Sequence, residues 1–203
     1  MEVGMIDFAM PDNIIAMPQK SNEWYTPARY VEAAREIMGS IDLDPASCAV
    51  ANEIVKAKRF YTQREDGLKQ PWYGSVWLNP PYGKINNKST IELWIKRLIQ
   101  EYRIGNVTDA ILLTTCDSDN QWFQLLWEYI ICFTNHNVHF FKPMNGAIRK
   151  DSRSTQMFGT VFTYLGQDEQ RFIDIFSQFG TVARRVSKPK ERPVNFSLWE
   201  DAV

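Results

Sequence analysis

Two consecutive prolines, Pro80 and Pro81, limit this chain more than any other feature. Each fixes φ near about −65° and lacks a backbone N–H, so regular structure stops there. Val76-Trp77-Leu78 before them reads as a short apolar strand. Gly83 after them lets the chain leave in a conformation that a Cβ would forbid. The turn can present acceptor chemistry: the Asn79 side-chain oxygen and the Pro80 carbonyl, with the Tyr82 ring beside them. Such a set suits an aromatic amine like adenine N6, a poor nucleophile because its lone pair is delocalised into the ring. Two acceptors on its two N–H bonds favour a tetrahedral nitrogen and localise that pair as charge develops in the transition state. A flat side chain alongside can hold a base swung out of its helix. The same residues also fit a plain proline turn that closes a strand, with Tyr82 filling the core.

Taken in order, the rest of the chain alternates strand and helix signals. Residues 1–20 carry Pro11 and Pro18 and no clear period, as a loosely attached arm does. A helix follows, with Thr26 as N-cap, Pro27 at its first position and Gly39 at its end. Tyr30, Val31, Ala34, Ile37 and Met38 give it a buried face. Residues 41–44 read as a strand, 47–56 as a helix and 58–62 as a second strand. Beyond the prolines, 84–88 reads as polar and flexible. Ser89 or Thr90 then caps a helix with Ile91, Trp94, Ile95, Leu98, Ile99 and Tyr102 on one face, Trp94 being assigned to the core. Strands are expected at 110–114, 130–133, 138–141 and 158–165. Thr115 and Asp117 fall at a strand end facing a cleft, and Ser118 with Gln121 resembles a capping box. Residues 142–156 read as a polar, basic loop, 171–179 as a helix and 181–186 as a last strand. The division is an arm at 1–20, one domain at 21–186 and a mobile tail at 187–203. The alternation argues for an α/β sheet with helices on both faces, binding ligands beyond the carboxyl ends of its strands.

Composition narrows the classes of function. A chain of 203 residues, 44% hydrophobic, supports one well-buried domain. Its net charge of −1 argues against a general nucleic-acid binder, for which phosphate contacts dominate affinity. Any such contact must be local. Lys84 and Lys88 flank the proline turn, Lys142, Arg149, Lys150 and Arg153 occupy the later loop, and Arg184, Arg185, Lys188, Lys190 and Arg192 lie near the end. No apolar run approaches the ~18 residues of a membrane span, and no signal-peptide pattern opens the chain. Cys48, Cys116 and Cys132 are isolated, and His136 and His139 are the only histidines, so neither a disulfide framework nor a metal centre is expected. The expectation is a soluble protein of a reducing compartment.

Asn79-Pro80-Pro81-Tyr82 resembles the catalytic motif of the amino-methyltransferases that use S-adenosylmethionine. The chain is most similar to the small, phage-type DNA N-6-adenine methyltransferase family, over roughly residues 22 to 166. Three more blocks carry the likeness in the same order: Glu23 to Pro27, Asp42 to Ser47, and Phe60 to Thr62 with Glu65 to Leu68. The resemblance implies a Rossmann-like, S-adenosylmethionine-dependent methyltransferase sheet, mostly parallel with an antiparallel edge strand, in which the Asp44 and Asn79 strands are neighbours. It implies that Trp24, Tyr25, Thr26 and Pro27 meet the methionine end of the cofactor. It places Asp44, Pro45, Ala46 and Ser47 in the first cofactor motif, usually Asp-Pro-x-x-Gly-x-Gly, although the glycines are missing here. Asp66 is implied near the cofactor adenine, and Lys142, Arg149, Lys150 and Arg153 near DNA; Lys84 and Lys88 join them as DNA candidates because they flank the turn. The implied activity is methyl transfer to adenine N6 in DNA, by direct in-line attack of a flipped base at the turn Asn79 to Tyr82, with no metal. A cytoplasmic location follows, that of the host if the chain is phage-encoded. An RNA or protein-amide N-methyltransferase, and a catalytically silent nucleic-acid-binding relic, are the competing readings.

Overall fold

Along the strand Val107–Thr115, successive residues are buried on opposite faces, Ile111 and Leu113 in one hydrophobic cluster, Ala110 and Leu112 in another. A strand buried on both faces needs a covering layer on each side. The computed structural model describes residues 25–85, 88–144, 147–155 and 159–186, with side chains for 25–83, 89–141 and 159–186. The expected arm, Trp24 and the expected tail lie outside the described residues.

The first half of the chain forms α1 (Ala28–Met38), β1 (Leu43–Asp44), α2 (Ala49–Val55), β2 (Arg59–Phe60), β3 (Gly74–Leu78), β4 (Lys84–Ile85), β5 (Lys88–Ser89) and α3 (Thr90–Arg103). The second half forms β6 (Val107–Thr115), α4 (Gln121–Gln124), β7 (Ile130–Thr134), β8 (His139–Met144), β9 (Ala147–Thr155), β10 (Thr160–Leu165), α5 (Glu169–Phe176) and β11 (Gly180–Ala183). Seven strands form one sheet in the order β11-β7-β10-β6-β3-β1-β2. α1, α2 and α5 cover one face, packing Tyr30, Val31, Val55, Phe172 and Phe176 on Trp77, Ile111 and Phe162. α3 and α4 cover the other, packing Ile95, Leu98 and Phe123 on Val76, Leu78, Leu112 and Val161.

The sheet is mixed, which corrects the expectation of antiparallel pairing confined to an edge. β2, β1, β3 and β6 pair in parallel, but β10 lies inside the sheet, antiparallel to both β6 and β7, and β11 is antiparallel to β7. Between β7 and β10 the chain runs through the antiparallel pair β8–β9, in place of the crossover helix that usually joins parallel strands. All six residues of β10 are buried, and a run apolar on both faces does not reveal its direction.

Local boundaries also differ from the sequence reading. Residues 142–144 and 147–155, expected in a loop, lie in β8 and β9, and residues 84, 85 and 88, expected in a flexible stretch, lie in β4 and β5. The β8–β9 hairpin is tied to the domain through Tyr25 and Phe141, whose backbones exchange two hydrogen bonds of 3.0 Å. α1 starts one residue later than expected, with Pro27 at its N-cap, so Thr26 does not cap it. α2 starts at Ala49, two residues later than expected, and Cys48 caps it, its Sγ accepting the Ala51 N–H. Asn120 precedes α4 with no side-chain cap, so the expected capping box does not form. No helix among the described residues is long and apolar enough to cross a membrane.

Candidate active site

β1 pairs in parallel with β2 on one side and β3 on the other, so the chain switches sides between β2 and β3. Crevices beyond the carboxyl ends of strands form at such a switch. A cavity of about 550 Å³ lies there, within the size range of small-molecule sites. Its lining brings together residues far apart in sequence: Tyr25 and Thr26, Asp44 to Cys48, Tyr61 to Gln63, Asp66 and Gly67, and Asn79 to Tyr82. From β6, Leu113 and Thr114 add to the wall, as do Phe140 and Thr160. Of the expected site residues, Pro27 is not in this lining. Trp24 lies outside the described residues, as do the side chains of Lys84, Lys88, Lys142, Arg149, Lys150 and Arg153. Those six residues stand on the strands β4, β5, β8 and β9.

The proline turn is held from three directions. The Tyr82 hydroxyl accepts the Thr115 N–H at 2.8 Å, fixing the ring to the end of β6. Burial pushes that phenol up to about 12, against the opposing pull of Thr115, so it stays neutral. Thr90 Oγ1, at the start of α3, donates to the Pro81 and Gly83 carbonyls, each at 3.1 Å. On the third side Asn79 Nδ2 donates to Thr26 Oγ1 at 3.3 Å. That leaves Asn79 Oδ1 on the opposite edge of the amide. Thr115 and Asp117, expected to face the cleft, are not among its lining; their side chains bond each other at 2.9 Å, and the Thr115 N–H serves Tyr82.

Asp44 closes the floor of the cavity with 3% exposure. Burial pushes its carboxyl up to about 7, while the Ser47 hydroxyl and the Ala46 N–H act in the other direction. Ala46 N donates to Asp44 Oδ1 at 3.2 Å. Ser47 Oγ is near enough to act on the charge, yet it is buried without a hydrogen bond of ordinary geometry. Among the described residues lining the cavity there is no Lys, Arg or His. A lining that holds two aspartates, Asp44 and Asp66, and no basic residue favours a cation and disfavours a phosphate.

The missing glycines of the loop after β1 have a structural answer. No described residue from 44 to 48 has positive φ, so none requires glycine. The close approach is made from the far side of the cavity. A Cβ on Gly67 would lie 1.9 Å from the Pro45 carbonyl oxygen, so only glycine lets the two loops meet. Asp66 next to it takes the left-handed conformation, φ 56°, which Asp tolerates better than most residues. Lys69 pairs with its carboxylate at 2.8 Å and holds it below the usual range. Trp72 Nε1 donates to the Gly67 carbonyl at 2.8 Å, and its ring lies 6.0 Å from that of Trp94. Trp94, read from sequence as core, is buried and also lines the cavity. Its helical spacing signals burial and cannot show that one edge meets a ligand.

A search of curated proteins finds no match to this chain. The model of the DNA N-6-adenine-methyltransferase (Dam) family matches residues 16–178, which include every described residue of the cavity wall, and the chain therefore belongs to that family of DNA adenine N6 methyltransferases.

Proposed function

We propose that this chain uses S-adenosylmethionine to methylate the N6 amino group of adenine in DNA, with the base swung out of the helix into the cavity beside Asn79. The observation that carries the reading is the meeting of the Asn79 turn and the buried Asp44 carboxyl in one cavity without a basic lining residue. That chemistry fits a cationic cofactor, with Asp44 nearest its positive groups, and Tyr25, Pro45, Ala46, Ser47 and Asp66 completing its walls. When bound, S-adenosylmethionine supplies a methyl group on a sulfonium sulfur, which leaves as a neutral thioether in a single in-line displacement.

The chain's own part is to hold the amine. Asn79 Oδ1 and the Pro80 carbonyl accept its two N–H bonds, and their hold strengthens as positive charge develops on nitrogen. Tyr82, fixed by Thr115, bounds the plane of the base. Asn79 accepts a hydrogen bond and takes no proton; the surplus proton passes to water once methylation has made the nitrogen acidic. Positioning is the larger share of the rate, since effective molarity is worth about 7–11 kcal/mol. Lys84 and Lys88 on the β4–β5 hairpin, with Lys142, Arg149, Lys150 and Arg153 on β8–β9, supply the local positive surface for the DNA backbone.

The test is transfer of labelled methyl groups from S-adenosylmethionine to DNA, tRNA and protein extracts by the purified chain. N6-methyladenine in the DNA fraction is the expected product. Label confined to tRNA or protein, or no transfer with intact cofactor binding, would replace this reading with one of its competitors.

A further inference from the structure

Thr26 stands directly before Pro27, the N-cap of α1, and in sequence a threonine so placed reads as the cap of the first turn. It is not the cap. Its side chain is 5% exposed, lines the cavity and accepts the amide N–H of Asn79. Two constraints set its backbone. Tyr25 is locked to Phe141 by the paired hydrogen bonds of the hairpin, and Pro27 restricts the residue before it to extended conformations. Residues 25 and 26 thus form a strut between the β8–β9 hairpin and α1, with a hydroxyl presented to residue 79.

An asparagine amide has a donor edge and an acceptor edge of nearly equal shape, and a half-turn exchanges them. Only one orientation offers oxygen to an incoming amine; the other opposes N–H to N–H. Resting on the reading of Asn79 as the group that holds the amine, we propose that Thr26 is a positioning residue. Its hydroxyl gives the amide nitrogen a partner on the cavity wall and so keeps Oδ1 toward the substrate. Loss of that hydroxyl removes this bond from the productive orientation and so weakens the preference for it. This role differs from a contact to the methionine end of the cofactor, which the family resemblance implies for the same block.

Thr26→Val keeps the shape and removes the hydroxyl; Thr26→Ser keeps the hydroxyl. The first measurement needs no turnover: the Asn79 side-chain amide signal in nitrogen-15 NMR of the cofactor-free protein, assigned by its loss in Asn79→Asp. Thr26→Val is expected to shift that signal and speed its solvent exchange, and Thr26→Ser to restore both. The second is methyl transfer to DNA. Thr26→Val lowers kcat roughly tenfold to a hundredfold, with S-adenosylmethionine affinity within about threefold of wild type, and Thr26→Ser recovers most of the loss. An unmoved amide signal overturns the proposal, and so does a loss of cofactor affinity at unchanged kcat, which would make Thr26 a cofactor contact. If the amide responds but wild type methylates no DNA, the functional reading fails, and the positioning role fails with it.

Discussion

A carboxyl as deeply buried as that of Asp44, pushed up to about 7, keeps its proton through most of the acid range. In the unfolded chain the same group titrates near the ordinary aspartate value of about 3.9. Between those limits the folded state binds more protons than the unfolded one, so this group's contribution to stability falls as pH rises and is fully lost above about 7. Asp44→Asn removes that dependence. Denaturation of both proteins from pH 5 to 9 should show the variant gaining on wild type as pH rises, by on the order of a few kcal/mol in total. Without ligand the ionised carboxyl is a burden, and a bound cation relieves it. Wild type should therefore bind S-adenosylmethionine more tightly as pH rises toward about 7, releasing protons in calorimetry at pH 6, whereas Asp44→Asn binds weakly at every pH. Equal affinity in the two proteins would remove Asp44 from the cofactor site.

Among the elements, the decisive contact joins two loops, the one after β1 and the one that carries Asp66. Gly67→Ala would drive a methyl group into the Pro45 carbonyl, so one loop must move. We expect a loss of about 1–3 kcal/mol in stability and weaker cofactor binding, read by melting and calorimetry, with the β4–β5 and β8–β9 hairpins undisturbed. This contact shows where sequence reading stops. The spacing of Tyr30, Val31, Ala34 and Ile37 marks a buried face because helical periodicity is local, and all four are buried. A glycine requirement was visible too, but a linear motif seeks it beside Asp44, whereas the backbones actually meet at Gly67, 23 positions later. Thr26 before Pro27 spells a cap in sequence, and only the tertiary fold turns its hydroxyl toward Asn79. The direction of β10 was likewise hidden, because its all-buried residues carry no sign of which way the strand runs.

Across the whole molecule, a net charge of −1 must be reconciled with a polyanionic substrate. Local charge on hairpins answers this if affinity is modest and steeply dependent on salt. Replacing Lys142, Arg149, Lys150 and Arg153 with glutamine should weaken DNA binding at low salt and leave cofactor affinity unchanged. The slope of log affinity against log salt should fall by up to about 0.9 for each phosphate that the variant no longer neutralises. An unchanged slope would move the DNA interface away from β8–β9. The α/β character and the proline corner were legible from residues alone, because prolines and apolar runs act locally. The single cavity joining residues 26, 44, 66 and 79 was not, since it depends on strand order. The most direct measurement of the central claim takes Asn79→Ala and asks separately for cofactor affinity and for the rate of N6-methyladenine formation in DNA. The account predicts affinity within about threefold of wild type and a rate lowered by at least about a hundredfold. A variant that loses both in equal measure, or that still methylates DNA at the wild-type rate, would contradict it.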